Sequence, residues 1–231
     1  LLSNPGFETG AVSPWVEYSI SGGSRAPRNY PWTPTGEPSY FGFQAHGGNW
    51  FYGSACNGTT QTPVNKGGVY QRVPATPGDV MVFRAWVITY QTDPFPASYE
   101  YVSRARVGID PTGGTDPNSS AIVWGPWILA QDCVGAVESA TGKGSWTEAF
   151  VRASAVSDHV TVYFMAGGEK PIRWVNWGLD DAVLTTVTAQ PVEKIADLAA
   201  LADGTLVRLT DKLVTATNTE VGANYVMEPK V

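Results

Sequence analysis

The sequence predicts an all-β sandwich followed by a short α+β tail, and three observations carry that expectation. Gly (25 residues) and Pro (17 residues) are both abundant in the 231-residue chain, so turns must be frequent. Charged residues make up 16% and aromatics 12%, nine Trp among them. That is too apolar for a disordered chain, and the Gly and Pro content is too high for a helical bundle. Every Phe, Trp and Tyr except Tyr225 precedes Pro191, so the texture of the chain changes there. Residues 1–190 are expected to form the sandwich and residues 191–231 a separate piece.

Short alternating runs bounded by Gly, Pro, Asn and Asp predict strands at Gly68–Pro74, Asp79–Gln91, Val102–Asp110 and Ser120–Ala130. Three more follow at Trp146–Ala153, His159–Ala166 and Gly178–Val187. Pro77-Gly78, Gly113-Gly114 and Gly167-Gly168 supply turns between them. In the tail, Ile195, Leu198 and Leu201 fall on one stripe of a helix over Glu193–Leu201. Two strands are expected after it, Leu206–Thr217 and Asn224–Glu228. One helix and two strands bury too little surface to fold alone. The tail therefore reads as the opening of a second domain, or as a segment that docks on the first domain or on another copy of the chain.

Charge and motif content exclude several functions. The net charge is −6, and no Lys/Arg cluster is present to neutralise phosphates, so nucleic acid is not an expected partner. No apolar run approaches the ~20 residues of a membrane span, so membrane insertion is not expected either. Cys56 and Cys133 are the only cysteines and lack zinc-like spacing. They read as one disulfide of a secreted protein or as two free buried thiols. His46 and His159 are the only histidines; neither a Gly-x-Ser-x-Gly elbow nor a His-Glu-x-x-His motif accompanies them. Asp180 and Asp181, adjacent on a strand, point to opposite faces and cannot flank one glycosidic bond. The oxygen-rich run Asp110–Asn118 fits either a cation loop or ordinary turns.

Strand faces indicate where binding takes place. In Asp79–Gln91, Met81, Phe83, Ala85 and Val87 form a core row, and Arg84, Trp86 and Tyr90 lie on the other face. Ala105, Val107 and Ile109 likewise oppose Arg104 and Arg106, and Val160, Val162 and Phe164 oppose Tyr163. Placed in one sheet, these strands gather Arg84, Trp86, Tyr90, Arg104, Arg106 and Tyr163 on its outer face. Rings beside guanidinium groups suit a sugar, whose C–H face packs on a ring while its hydroxyls need fixed partners. The alternative is that the same rings are covered by loops, with Arg stems packed over them. Trp50, Phe51 and Tyr52 follow Gly47-Gly48-Asn49 and read as a loop platform or as buried anchors. Trp124 and Trp127, three apart across Pro126, need not share a face.

Three pieces of the chain carry a resemblance. Asn4-Pro5-Gly6-Phe7-Glu8-Thr9-Gly10, followed by Trp15, resembles the first strand of carbohydrate-binding modules of the family 4, 9 and 22 group. Gly68–Val73, then Pro77-Gly78 and the strand to Trp86, is similar to their central strand pair, and Leu179–Leu184 to their closing strand. Arg106–Asn118 resembles a segment of extracellular bacterial proteins of carbohydrate-binding type. Ile195–Pro229 is similar to the start of small β-barrel domains of secreted bacterial proteins. The resemblance implies a jelly-roll β-sandwich with a structural calcium held by Glu8 and Asp180, whose strands adjoin in that fold. The alternative is that Glu8 and Asp181 are solvated edge carboxylates. The chain departs from the pattern in a long aromatic insertion, Tyr30–Cys56.

The function these readings favour is non-catalytic polysaccharide binding by a calcium-stabilised jelly roll of a larger extracellular or cell-surface protein. Its expected site is Trp86, Arg84, Tyr90, Arg104, Arg106 and Tyr163, with Trp50 and Tyr52 as a second platform. The alternative is a structural subunit of an extracellular filament or surface layer, self-associating through strand edges and the C-terminal strands.

Overall fold

Strand alternation sends one row of side chains from each long strand into a shared core. The computed structural model describes residues 1–21, 24–29, 45–58, 64–92, 103–129, 146–169, 172–187, 190–192, 207–209, 213–216 and 225–227. Side chains are described over 1–21, 45–54, 65–89, 103–129, 146–169 and 175–187. The chain divides into two compact units, Leu1–Thr185 and Thr186–Val231.

The strands of the first unit are β1 (Val16–Ser19), β2 (Ser24–Asn29), β3 (Trp50–Gly58), β4 (Val64–Pro74), β5 (Val80–Thr92) and β6 (Ser103–Asp110). They continue with β7 (Val123–Trp124), β8 (Ile128–Leu129), β9 (Thr147–Ser154), β10 (His159–Gly168) and β11 (Ile172–Val187). Two antiparallel sheets result, making an all-β jelly-roll sandwich. The first has the order β1-β4-β10-β6-β7, with β8 also on β6; the second has the order β2-β3-β11-β5-β9. The chain changes sheet between β1 and β2, β3 and β4, β4 and β5, β5 and β6, β8 and β9, β9 and β10, and β10 and β11.

The core lies between the sheets, as alternation predicts. Val69, Val73, Val107, Ile109, Val162 and Phe164 from the first sheet meet Met81, Phe83, Val87, Trp177 and Leu179 from the second. Trp177 is fully buried and donates its indole N–H to the Asn65 carbonyl at 3.0 Å. The Asn65 amide accepts from Ser54 Oγ and donates to the Val175 carbonyl, both at 2.8 Å. This buried polar group therefore ties β4 to β3 and β11 with its side chain satisfied. Gln71, also buried, exchanges two hydrogen bonds with the backbone of Ser3 (2.8 and 2.9 Å), fixing the N-terminal segment to β4.

Departures from the expected elements have local causes. Ser120–Ala130 holds two two-residue strands rather than one, broken at Gly125-Pro126, where Pro removes a ladder donor. Trp50–Tyr52, expected in a loop, opens β3 instead, and Phe51 and Tyr52 are both fully buried, in line with the reading of buried anchors. Asn4–Gly10, likened to a first strand, is a series of turns with Asn4 (φ 50°) and Phe7 (φ 56°) in the left-handed region. It still delivers Phe7 and Trp15 to the core.

In the second unit, β12 (Gln190–Val192) runs parallel to β13 (Val207–Leu209), and β14 (Leu213–Ala216) pairs antiparallel with β15 (Tyr225–Met227). The expected strand Leu206–Thr217 is thus two strands with different partners. The expected helix lies outside the described residues, as do Cys133 and the side chain of Cys56, and with them the disulfide. Among the described residues, no helix is long and apolar enough to cross a membrane.

Candidate functional site

Two constellations stand out, one of carboxylates and one of rings with guanidinium groups. The first arises where β11 meets the N-terminal segment. The Ala182 N–H donates to the Pro5 carbonyl at 3.1 Å, so the two ends of the sandwich adjoin. On β11 the inward residues run Val175, Trp177, Leu179 and then Ala182, Leu184. The register slips by one at Asp180–Asp181, as in a β-bulge, and Asp181 has a φ of 44°. The expectation that these two carboxylates face opposite ways is therefore corrected. A Cβ built on Gly6 would lie 3.4 Å from Asp180 Oδ1, 3.4 Å from Asp181 Oδ1 and 3.8 Å from Glu8 Cγ.

The loop before β3 closes this cluster. Backbone N–H groups of His46 and Gly47 donate to Asp180 Oδ2 (2.8 and 3.2 Å), and those of Asn49 and Trp50 donate to Glu8 Oε1 (both 3.0 Å). His46 Nδ1 lies 2.7 Å from Asp181 Oδ2. A Cβ on Gly47 would sit 2.5 Å from Asp181 Oδ2 and displace that carboxylate. Asp180 is fully buried; burial first, and then the neighbouring Asp181 charge, push its pKa up to about 7 despite the N–H donors. Among the described residues, no three acidic, His or Cys side chains form a metal-binding group by themselves. The side chains of Glu8, Asp180 and Asp181 offer only carboxylate oxygens, the ligand type of calcium, so a site here would draw further oxygens from backbone carbonyls.

The second constellation lies on the outer face of the first sheet. The outward residues of β1, β4, β10 and β6 include Tyr18, Tyr70, Tyr163, Arg104 and Arg106. Tyr163 pairs with Tyr70 on one side and Gly108 on the other. It is fully buried and forms a floor, with ring centroids 5.5 Å from Tyr70, 6.3 Å from Tyr18 and 6.0 Å from Trp124. Its hydroxyl donates to the Gly114 carbonyl at 2.8 Å, and burial holds its pKa above the usual phenol range. Tyr18, Tyr70, Trp124 and Trp127 are only partly buried.

The guanidinium of Arg106 lies 4.1 Å from the Trp124 ring centroid and 4.0 Å from that of Trp127. That of Arg104 lies 4.1 Å from Trp127. These are cation–π distances. Glu169 accepts from Arg104 (2.7 Å) and from Lys66 (2.6 Å). Burial, and then the Arg104 charge, lower the Arg106 pKa to about 10.

The six residues expected on one face are divided between two. Arg84 and Trp86 belong to β5 in the second sheet, whereas Arg104, Arg106 and Tyr163 belong to β6 and β10 in the first. Consecutive strands that change sheet defeat any reading that places them side by side. Trp86 is not open: its ring stacks on His46 at 4.1 Å and 13°. Arg84 is engaged by Glu148 at 3.0 Å and lies over Phe150. The side chain of Tyr90 lies outside the described residues. Tyr52 forms no platform; it is buried against Phe7 at 5.3 Å, and its hydroxyl bonds Glu17. Trp50 is partly buried and packs over Gly10, whose Cβ would lie 3.2 Å from its ring.

The ring-lined face includes Tyr18, Tyr70, Trp124 and Trp127, none of which sequence reasoning selected. For Tyr70 the signal was present, since Val69 and Val73 point inward and their neighbour must point out. Trp124 and Trp127 do share a face, because the break at Gly125-Pro126 resets the alternation. In the Asp110–Asn118 loop, Asp110 Oδ1 accepts from the Thr112 N–H at 2.8 Å and Asp116 Oδ1 from the Asn118 N–H at 2.9 Å. These are side-chain-capped turns.

No protein-family model matches the chain, and no curated protein matches its sequence. Among solved structures it is similar to a family 61 carbohydrate-binding module in complex with β-1,4-galactotriose. The identity is 17% and the TM-score 0.50, over 80% of this chain and 97% of that one. It is also similar to the CBM22-1 and GH10 modules of a Clostridium thermocellum endo-1,4-β-D-xylanase complexed with xylohexaose (11%, TM-score 0.45, 83% and 29% covered). A third is the Fischerella Stig cyclase Fisc (11%, TM-score 0.48, 82% and 98% covered). Carbohydrate-binding modules with a β-sandwich fold are thus among the structures this chain resembles, and at these identities the likeness establishes the fold alone.

Proposed function

We propose that the first unit is a non-catalytic module that binds an extracellular polysaccharide on the outer face of the first sheet. The observation that carries this reading is the floor of Tyr163 ringed by the partly exposed Tyr18, Tyr70, Trp124 and Trp127, with Arg104 and Arg106 beside them. Partly exposed rings offer the flat apolar surface that a pyranose ring covers, and the guanidinium groups offer hydroxyl or carboxylate partners. A similar module solved with galactotriose supports the choice of ligand class. Membership in the family 4, 9 and 22 group, placement outside the cell and the Cys56–Cys133 disulfide belong to the same proposal.

The proposal includes a structural calcium at Glu8 and Asp180, with Asp181 beside them. What supports it is the buried Asp180 carboxylate beside Asp181, since a carboxylate held out of water next to a second one gains from a compensating charge. Calcium would supply that charge and clamp the N-terminal segment to β11.

Affinity electrophoresis in gels containing galactan, xylan and other polysaccharides tests the reading. Retardation by at least one polymer, lost in Tyr70→Ala, is the expected result. If no glycan retards the chain and it sediments as a large assembly, the filament or surface-layer reading replaces this one.

A further inference from the structure

Resting on the glycan reading, we infer that this face selects an acidic polysaccharide, with Arg106 between Trp124 and Trp127 receiving the carboxylate of a uronic acid residue. Both faces of the Arg106 guanidinium are taken by indoles, 4.1 and 4.0 Å away. Its N–H donors all point outward in the guanidinium plane. In that plane, among the described residues, the one contact is Nη2 to Met165 Sδ at 3.8 Å, and the buried Nε has no partner.

Among the described residues no anion is in hydrogen-bond contact with the Arg106 guanidinium, and the more distant Glu169 favours its charge without offsetting burial. Glu169 is already held by Arg104 at 2.7 Å and Lys66 at 2.6 Å. Burial accordingly weakens the proton affinity of Arg106. A planar carboxylate matches a guanidinium fork with two parallel hydrogen bonds, which a single hydroxyl cannot. The rings on either side exclude water from those bonds and provide the stacking surface for the rest of the sugar. The chain as a whole carries −6, so an acidic polymer gains from meeting Arg104 and Arg106 rather than the molecule at large.

The test compares each of polygalacturonate, alginate, glucuronoxylan and hyaluronan with its carboxyl-reduced counterpart, alongside neutral galactan and dextran sulfate. The expected result is an acidic polymer bound about tenfold or more tightly than its reduced form at low salt, a difference that shrinks as salt screens it. In Arg106→Gln the ratio of the two affinities falls toward one. Glu169→Gln, which releases Arg104 and Lys66, should tighten the acidic polymer, a gain that a folding defect does not produce. Equal binding of acidic and reduced forms overturns the inference while the glycan reading stands. Binding of dextran sulfate as tightly as the best uronate polymer overturns the carboxylate assignment. Binding of none overturns both.

Discussion

Gly108 and Trp124 are paired across β6 and β7, and the missing side chain of one makes room for the ring of the other. A Cβ at position 108 would lie 2.6 Å from Trp124 Cε3 and 2.9 Å from Ile122 Cγ2. Gly108→Ala should therefore lift the indole off the sheet and away from Arg106. The expected outcome is a loss of glycan retention with a stability loss of about 1–3 kcal/mol, as overpacking typically causes. Affinity electrophoresis with a parallel thermal melt measures both.

Tyr70→Ala should weaken glycan retention with little change in melting temperature, because its partly exposed ring is contact surface rather than core. Trp177→Ala serves as the contrast. Its ring is fully buried, and truncation should cost about 3–5 kcal/mol. A denaturant series on both variants separates the two effects. A Tyr70→Ala variant with unaltered glycan affinity would count against the proposed face.

Trp86→Ala should leave glycan affinity unchanged, since Trp86 lies in the other sheet under His46. The stacked pair is lost, so the melting temperature should fall by a few degrees. Reduced retention in a folded Trp86→Ala variant would return attention to the second sheet.

Chelation should lower the melting temperature and added calcium should restore it. An ion that binds only the folded chain adds about 2.7 kcal/mol at a hundredfold excess over its dissociation constant. Glu8→Gln keeps the acceptor for the Asn49 and Trp50 N–H groups but removes the charge, so its melting temperature should no longer respond to calcium. Calorimetry in EDTA and in calcium makes the comparison.

Acid should erase a contribution from Glu169. Burial alone would raise its pKa, but the hydrogen bonds and charges of Lys66 and Arg104 outweigh burial and hold it below the usual range. A carboxylate whose pKa is depressed by folding stabilises above the unfolded value, near 4.3, and that stabilisation is lost as pH falls through the folded value. The pair is partly exposed, so the effect is about 1 kcal/mol or less. Wild type and Glu169→Gln should differ in stability at pH 6 and converge toward pH 3.

Legibility in the sequence followed from how regularly residue types alternate along each strand. Met81, Phe83, Ala85 and Val87, or Val160, Val162 and Phe164, alternate with different neighbours, so their inward rows are visible in the residues alone. Phe51 and Tyr52 are adjacent rings buried on opposite faces of β3, so the residue types do not alternate there. The ring-lined face was half visible: Arg104, Arg106 and Tyr163 follow from alternation within β6 and β10. Tyr18 and Tyr70 reach the same face only through pairing with a strand far away in the chain. Arg84 and Trp86 were misplaced because alternation gives the face of a strand but not the sheet to which it belongs. Asp180 and Asp181 were separated on paper by a rule that the left-handed Asp181 breaks.

The carboxylates that tie Pro5–Glu8 to β11 and the rings that line β4, β6 and β10 have no residue in common. Substitutions at Tyr70, Trp124 or Arg106 therefore leave every hydrogen bond of the Glu8 and Asp180 cluster in place, and substitutions in that cluster leave the ring-lined face in place. Damage to one can be told from damage to the other.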